Sequence, residues 1–187
     1  MSLFELHLFG KRDKIFTAIE RLYHAARMAI HLDLPLMLAF SGGKDSIVIK
    51  ELLKMAIEQC EDAEIKAKLE SCEVFYNYVG IDPPELVAYI KEHHSDVAFK
   101  YPEVPFFAKM VSKHFPPMRK QRYCCAVLKE YHGIGVMVIG IRHAESSRRA
   151  KRQSFEACRN TANRYFSAPI IDWSNDDIWE FIELRKL

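Results

Sequence analysis

The sequence predicts an α/β fold, a three-layer sandwich on a mostly parallel sheet. Two observations predict it. From Leu34 onward, apolar runs of strand length alternate with stretches of helical periodicity. Each such strand–helix–strand unit implies a right-handed crossover, which covers both faces of a parallel sheet. The junction at Ser41-Gly42-Gly43-Lys44-Asp45-Ser46 sharpens the reading, because a strand there meets a glycine turn and then a helix start.

At 187 residues the chain is read as one domain, 1–187, large enough to bury a core. Hydrophobic residues make up 49% and charged residues 28%, the balance of a globular protein. The formal net charge of +2 argues against a polycation that coats nucleic acid. No apolar stretch approaches the roughly 18 residues that cross a membrane, and no signal-peptide core opens the chain. The five cysteines are an odd number in a chain too large for a disulfide-stapled scaffold. A reducing, cytoplasmic setting is therefore expected.

The elements follow in order. Lys11 to Leu32 has apolar residues at helical spacing, so the N-terminal segment 1–33 is expected to be helical. Leu34 to Phe40 is a buried strand, and Asp45 to about Gln59 a helix. Glu61 to Glu73 reads as an exposed helical extension. Val74 to Val79 is a strand. Pro83 opens a helix running to about His93, with Asp82 and Glu85 as a capping pair. Val97 to Tyr101 is a strand, Phe106 to Lys113 a helix, and Pro116-Pro117 a break. Tyr123 to Tyr131 reads as a helix, Val136 to Ile139 and Ala168 to Ile171 as strands. Ser174 caps a last helix, Asp176 to Leu184.

Three constellations carry chemistry. In the first, the glycines of Ser41 to Ser46 let backbone approach a ligand, and the first helical amides lack internal partners. The helix dipole and Lys44 add positive potential, and Ser41 and Ser46 offer hydroxyls. A tight turn with Asp45 or Ser41 as cap is the competing reading, and it needs fewer of these residues. The second is Gly140-Ile141-Arg142-His143-Ala144-Glu145-Ser146-Ser147-Arg148-Arg149. From Arg142 to Arg164 there are seven Lys/Arg against two Glu. Arginine's planar fork suits phosphate and sulfate oxygens, though a solvated basic loop would look alike. The third is the pair Cys124 and Cys125, flanked by Arg122 and Lys129, which favour thiolates. Redox chemistry, cluster ligation and simple packing all remain open for the pair. Asp172 is expected against the arginine cluster.

These motifs resemble the phosphoadenosine phosphosulfate (PAPS) reductase family of the PP-loop superfamily. Ser41 to Ser46 matches its phosphate loop, and Cys124, Cys125 and Lys129 its Cys-Cys-x-x-x-Lys stretch. Gly140, Arg142, Glu145, Ser146 and Arg149 match Gly-x-Arg-x-x-Glu-Ser-x-x-Arg. Pro169 to Trp173, with Asp177 and Trp179, matches its Pro-Ile-x-Asp-Trp segment. The resemblance implies an adenine-nucleotide alpha-hydrolase-like fold. Typical members carry Asp-Thr-Gly after the second strand, where this chain reads Tyr76-Asn77-Tyr78-Val79-Gly80-Ile81-Asp82-Pro83-Pro84-Glu85, which points to a separate branch. Members also continue beyond the position of Leu187 with a cysteine-bearing tail, so a C-terminally truncated chain is expected.

The resemblance implies a PAPS or adenylyl sulfate reductase-like protein that binds an adenine sulfonucleotide and reduces it to sulfite, with a thioredoxin-like reductant. The binding residues carried over are Ser41, Gly42, Gly43, Lys44, Asp45, Ser46, Gly140, Arg142, Glu145, Ser146 and Arg149. An iron–sulfur cluster in the full-length protein would draw on Cys124 and Cys125. The alternative is an ATP-dependent adenylating or sulfur-transfer enzyme, with Mg2+ on Asp45. A third reading is a non-catalytic nucleotide-binding module.

Overall fold

The computed structural model describes residues 3–7, 10–118, 134–159 and 161–187. Two short strands, β1 (Phe4–His7) and β2 (Gly10–Asp13), open it as an antiparallel pair. A hairpin therefore stands where the periodicity predicts only helix. The helix itself, α1 (Lys14–His31), begins after Asp13, whose carboxylate accepts from the amides of Ile15 and Phe16 at 2.9 and 3.1 Å. An acceptor at that position satisfies amides the helix leaves open.

The chain then runs β3 (Leu36–Phe40), α2 (Lys44–Gln59), α3 (Ala63–Glu70), β4 (Glu73–Asn77), α4 (Pro84–His93), β5 (Ala98–Lys100) and α5 (Phe106–Lys113). After it come β6 (Gly135–Val138), β7 (Phe155–Ala157), β8 (Arg164–Ser167) and α6 (Asn175–Arg185). The helix expected over Tyr123 to Tyr131 lies outside the described residues, as do Cys124 and Cys125.

Six strands form one sheet in the order β5-β4-β3-β6-β8-β7, parallel except for β7, which pairs antiparallel with β8. The chain moves outward from β3 to β5, then returns to the other side of β3 with β6. That reversal makes a switch point between β3 and β6, and loops leaving the two strands part there and open a crevice. Leu36, Met37 and Leu38 are consecutive and all buried. Neighbouring strand residues point to opposite faces, so β3 is covered on both.

Three expectations need correction. The apolar run Ala168 to Ile171 is buried but forms turns, with Ile171 N donating to Ala168 O and Trp173 N to Ile170 O. Pro169 has no amide to give a ladder, and the strand is the preceding β8. The segment after Gln59 is a separate helix, capped by Asp62, with Ile65 and Leu69 buried. Pro83 is the cap residue of α4, and Asp82 instead accepts from Val79 N at 2.9 Å.

One buried ion pair joins the two ends of the chain. Lys14 Nζ lies 2.8 Å from Asp177 Oδ2, and the two side chains are 2% and 0% exposed. The same oxygen accepts from Ser174 N at 2.6 Å, closing a capping box at the start of α6. Burial pushes the Asp177 carboxyl up, but the Lys14 and Ser174 bonds outweigh it and hold it below the ordinary value. Removing one partner of such a pair leaves a buried charge, so Lys14→Met is expected to cost about 3–5 kcal/mol in denaturant unfolding. Because the folded carboxyl is the stronger acid, its contribution is present above about pH 4 and lost below it. Asp177→Asn is expected to flatten the fall of the unfolding temperature in that acid range.

Candidate functional site

The first loop leaves β3 at Ser41. Gly42 has φ of 72°, and a Cβ on it would stand 2.7 Å from Leu86 Cδ1. The turn thus lies close against α4 in a left-handed conformation that glycine takes without strain. Gly43 is the N-cap of α2 and supplies no side-chain acceptor. Ser46 N and Ile47 N donate to Gly43 O at 3.0 and 3.1 Å, and the amides of Lys44 and Asp45 at the helix start are the ones left for a ligand.

Both serine hydroxyls are used within the loop. Ser46, 3% exposed, donates to Gly43 O at 2.7 Å and accepts from Ser41 N at 3.2 Å. Ser41 Oγ donates to Ser46 Oγ at 3.2 Å and accepts from Gly43 N at 3.4 Å. These bonds hold the loop's shape and engage both hydroxyl protons.

The second loop leaves β6 through Gly140. A Cβ there would meet Ile49 Cδ1 at 3.3 Å and Asp45 Cβ at 3.5 Å, so the strand end passes tightly over the first turns of α2. Arg142 follows, 4% exposed, with Nε 3.1 Å from Asp45 Oδ1. The approach is poorly aligned, and Nε has no hydrogen-bond partner among the described residues. Lys44 Nζ reaches the same carboxylate at 3.2 Å. Glu145 accepts from Arg142 N at 2.7 Å and pairs with Arg149. Burial raises its pKa, but the Arg142 amide and then Arg149 prevail, leaving it below the ordinary carboxylate value. Ser146 is exposed and accepts from Arg149 N at 3.3 Å.

The two loops enclose a cleft of about 290 Å³ lined by Ala39, Ser41, Gly43, Asp45, Ser46, Gly140, Glu145 and Arg149. Arg142 lies behind Asp45, while Gly42 turns away to α4. Around the cleft, Lys44, Arg142 and Arg149 stand against Asp45 and Glu145, a surplus of one positive charge.

Sequence reading missed the braces behind the site. Asp172, expected against the arginine cluster, forms a fork with Arg21 of α1 at 2.7 and 3.0 Å. Arg21 also donates to Pro169 O at 2.7 Å. Next to that turn, Ile171 O accepts from His143 N at 2.7 Å, which sets the backbone beside Arg142. His143 Nε2 lies 2.8 Å from Arg152 O, so the ring packs within its own loop. Arg21 is separated from Asp172 by 151 positions, and no spacing rule links them.

Asp45, the residue expected to hold Mg2+ beside ATP, has both its oxygens facing cations in this structure. Among the described residues, no group of three His, Cys, Asp or Glu side chains suits a metal ion. Cys60, Cys72 and Cys158 are free thiols, and none lines the cleft. Burial, with Glu73 beside it, pushes the Cys72 thiol up to about 12. Cys72 is therefore expected to resist alkylation at pH 8 in the native protein and to react once the chain is unfolded, as read by mass spectrometry. Gly42→Ala is expected to cost about 1–2 kcal/mol in denaturant unfolding, the left-handed penalty for a residue with a Cβ.

Known proteins resemble this chain in sequence and in fold. The family model for the phosphoadenosine phosphosulfate reductase domain matches residues 35–187. An uncharacterized protein of Methanocaldococcus jannaschii is 24% identical over 164 residues, which cover 81% of this chain. The aligned part is 32% of that relative, about a third of its length. PAPS reductase from Candida auris, solved as a phosphate complex, superposes with a TM-score of 0.56 at 10% identity, covering 89% of this chain and 80% of that one. FMN adenylyltransferase from Candida glabrata, solved with FMN and an ATP analogue, gives 0.57 at 17% identity, covering 90% and 55%. At such identities the two structures share the fold. No described helix is long and apolar enough to cross a membrane. The family match takes in every element from β3 onward, and the chain belongs to the phosphoadenosine phosphosulfate reductase domain family.

Proposed function

We propose that the cleft binds an adenine nucleotide ending in a sulfate or phosphate, with PAPS or adenylyl sulfate preferred, for thiol-dependent reduction to sulfite. The observation that carries this reading is the juxtaposition of the uncapped start of α2 with Arg149 at one cleft, and with Arg142 behind the Asp45 carboxylate that lines it. Amides at a helix start and arginine forks are the donors that oxyanions take.

In the reaction, a thiolate attacks the sulfur of the sulfonucleotide. The S–O bond breaks, and the nucleotide leaves with the electron pair on its phosphate. A thiol of a thioredoxin-like reductant then attacks the sulfur of the sulfonated cysteine. Sulfite leaves with the S–S pair as a mixed disulfide forms, and the reductant's second thiol then displaces the cysteine thiolate, leaving the reductant as a disulfide. This chain's part is to hold the oxyanions and to stabilise charge developing on the departing phosphate. Lys44, Arg142 and the α2 amides serve those ends. None of Cys60, Cys72 and Cys158 lines the cleft, so none of the three is assigned as nucleophile.

Calorimetric titration with PAPS, adenylyl sulfate and ATP with magnesium tests the reading. A sulfonucleotide is expected to bind tightest, and Lys44→Ala with Arg142→Ala to weaken it about a hundredfold or more, since two charge-assisted contacts are lost. Tighter binding of ATP would move the chain to an adenylating reaction. Absence of binding by all three would overturn the site.

A further inference from the structure

A carboxylate is out of place in a cleft read as an anion site, and Asp45 lines this one. Its oxygens are engaged by cations on two sides. Lys44 Nζ lies 3.2 and 3.4 Å away, Arg142 Nε 3.1 Å and Arg142 Nη2 3.5 Å. Arg142 is 4% exposed, and a guanidinium that deep requires a counter-charge.

The geometry is not that of a permanent ion pair. The same molecule shows what one looks like. Arg21 and Asp172 meet as a parallel fork at 2.7 and 3.0 Å, each nitrogen on its own oxygen. Arg142 instead presents Nε off axis, so that it makes no hydrogen bond, and Nη2 at the outer limit of bonding distance. The charge is balanced while the donors remain poorly used. Arg142 does not itself line the cleft, so a tetrahedral oxyanion there takes up those donors only by displacing the Asp45 carboxylate in front of them.

We infer that Asp45 is an internal counter-ion that stands in for the ligand. It keeps Lys44 and Arg142 in place while the cleft is empty, and yields them to the incoming sulfate or phosphate group. This inference rests on the proposed reading of the cleft as an oxyanion site. Asp45 is a positioning residue in that scheme. It lowers affinity for the anion, by competing for both cations and by its own charge, in return for a pre-formed site.

The sign of one change tests it. Inorganic sulfate is titrated into the full chain at low ionic strength, with Asp45→Asn alongside the parent. The variant is expected to bind sulfate about tenfold tighter or more, as removal of a unit charge within a few ångströms requires. Asp45→Glu is expected to return affinity toward that of the parent. In Asp45→Asn combined with Lys44→Ala, the gain is expected to vanish, because it runs through the freed cations. A merely structural Asp45 would give the opposite sign, since a loosened loop binds more weakly. Weaker or unchanged sulfate binding in Asp45→Asn, with sulfonucleotide still bound by the parent, overturns the inference and leaves the proposed function standing. Failure of parent and variant alike to bind sulfate or sulfonucleotide overturns both. Should the asparagine variant not fold, Asp45→Ser removes the same charge and carries the same expectation.

Discussion

The parallel pairing of β3 with β6 is the constraint on which the site depends. Leu36, Met37 and Leu38 lie level with Val136, Met137 and Val138. Continuing that register sets Phe40 beside Gly140, so both loops leave the sheet at one height and on the same edge. The 3.3 Å clearance at Gly140 then decides how near the second loop comes to α2. A one-residue slip would turn every side chain of β6 to the other face and carry Arg142 off Asp45.

The loops are held from behind by packing that spans the whole chain. Arg21 on α1 fixes the turn at Asp172, and that turn receives the amide of His143. On the other side, Lys50 of α2 is 7% exposed and reaches Asp96 at 2.5 Å and His94 Nδ1 at 3.3 Å. Its ammonium lies 5.5 Å from the Phe40 ring, just before the glycine loop. Burial, and then Lys50, lowers the His94 pKa, which keeps the ring neutral beside the ammonium. These contacts sit outside the cleft, yet they determine where the loops stand. A preformed loop loses less entropy when a ligand arrives.

The charges around the cleft are nearly balanced. Three cations face two carboxylates, and Glu145 serves the backbone of Arg142 as well as Arg149. A site with bare cations so close together would be destabilised by their repulsion. Carboxylates close to the cations relieve that repulsion.

Much of this was legible in the residues themselves. The glycine loop, the run from Gly140 to Arg149 and the alternation of strands and helices are local patterns, because backbone freedom, helix starts and charge depend on neighbours in the chain. They identified the α/β class and most of the cleft-lining residues. Local reasoning failed where the signal was short or ambiguous. β7 spans only three residues, and the buried run at Ala168 to Ile171 carries a proline inside an apolar stretch. The order β5-β4-β3-β6-β8-β7 came only from the tertiary structure, as did the Arg21–Asp172 and Lys14–Asp177 pairs and the two cations on Asp45. Each joins residues far apart in sequence, and the free energy that selects them comes from packing and desolvation, which no local pattern records.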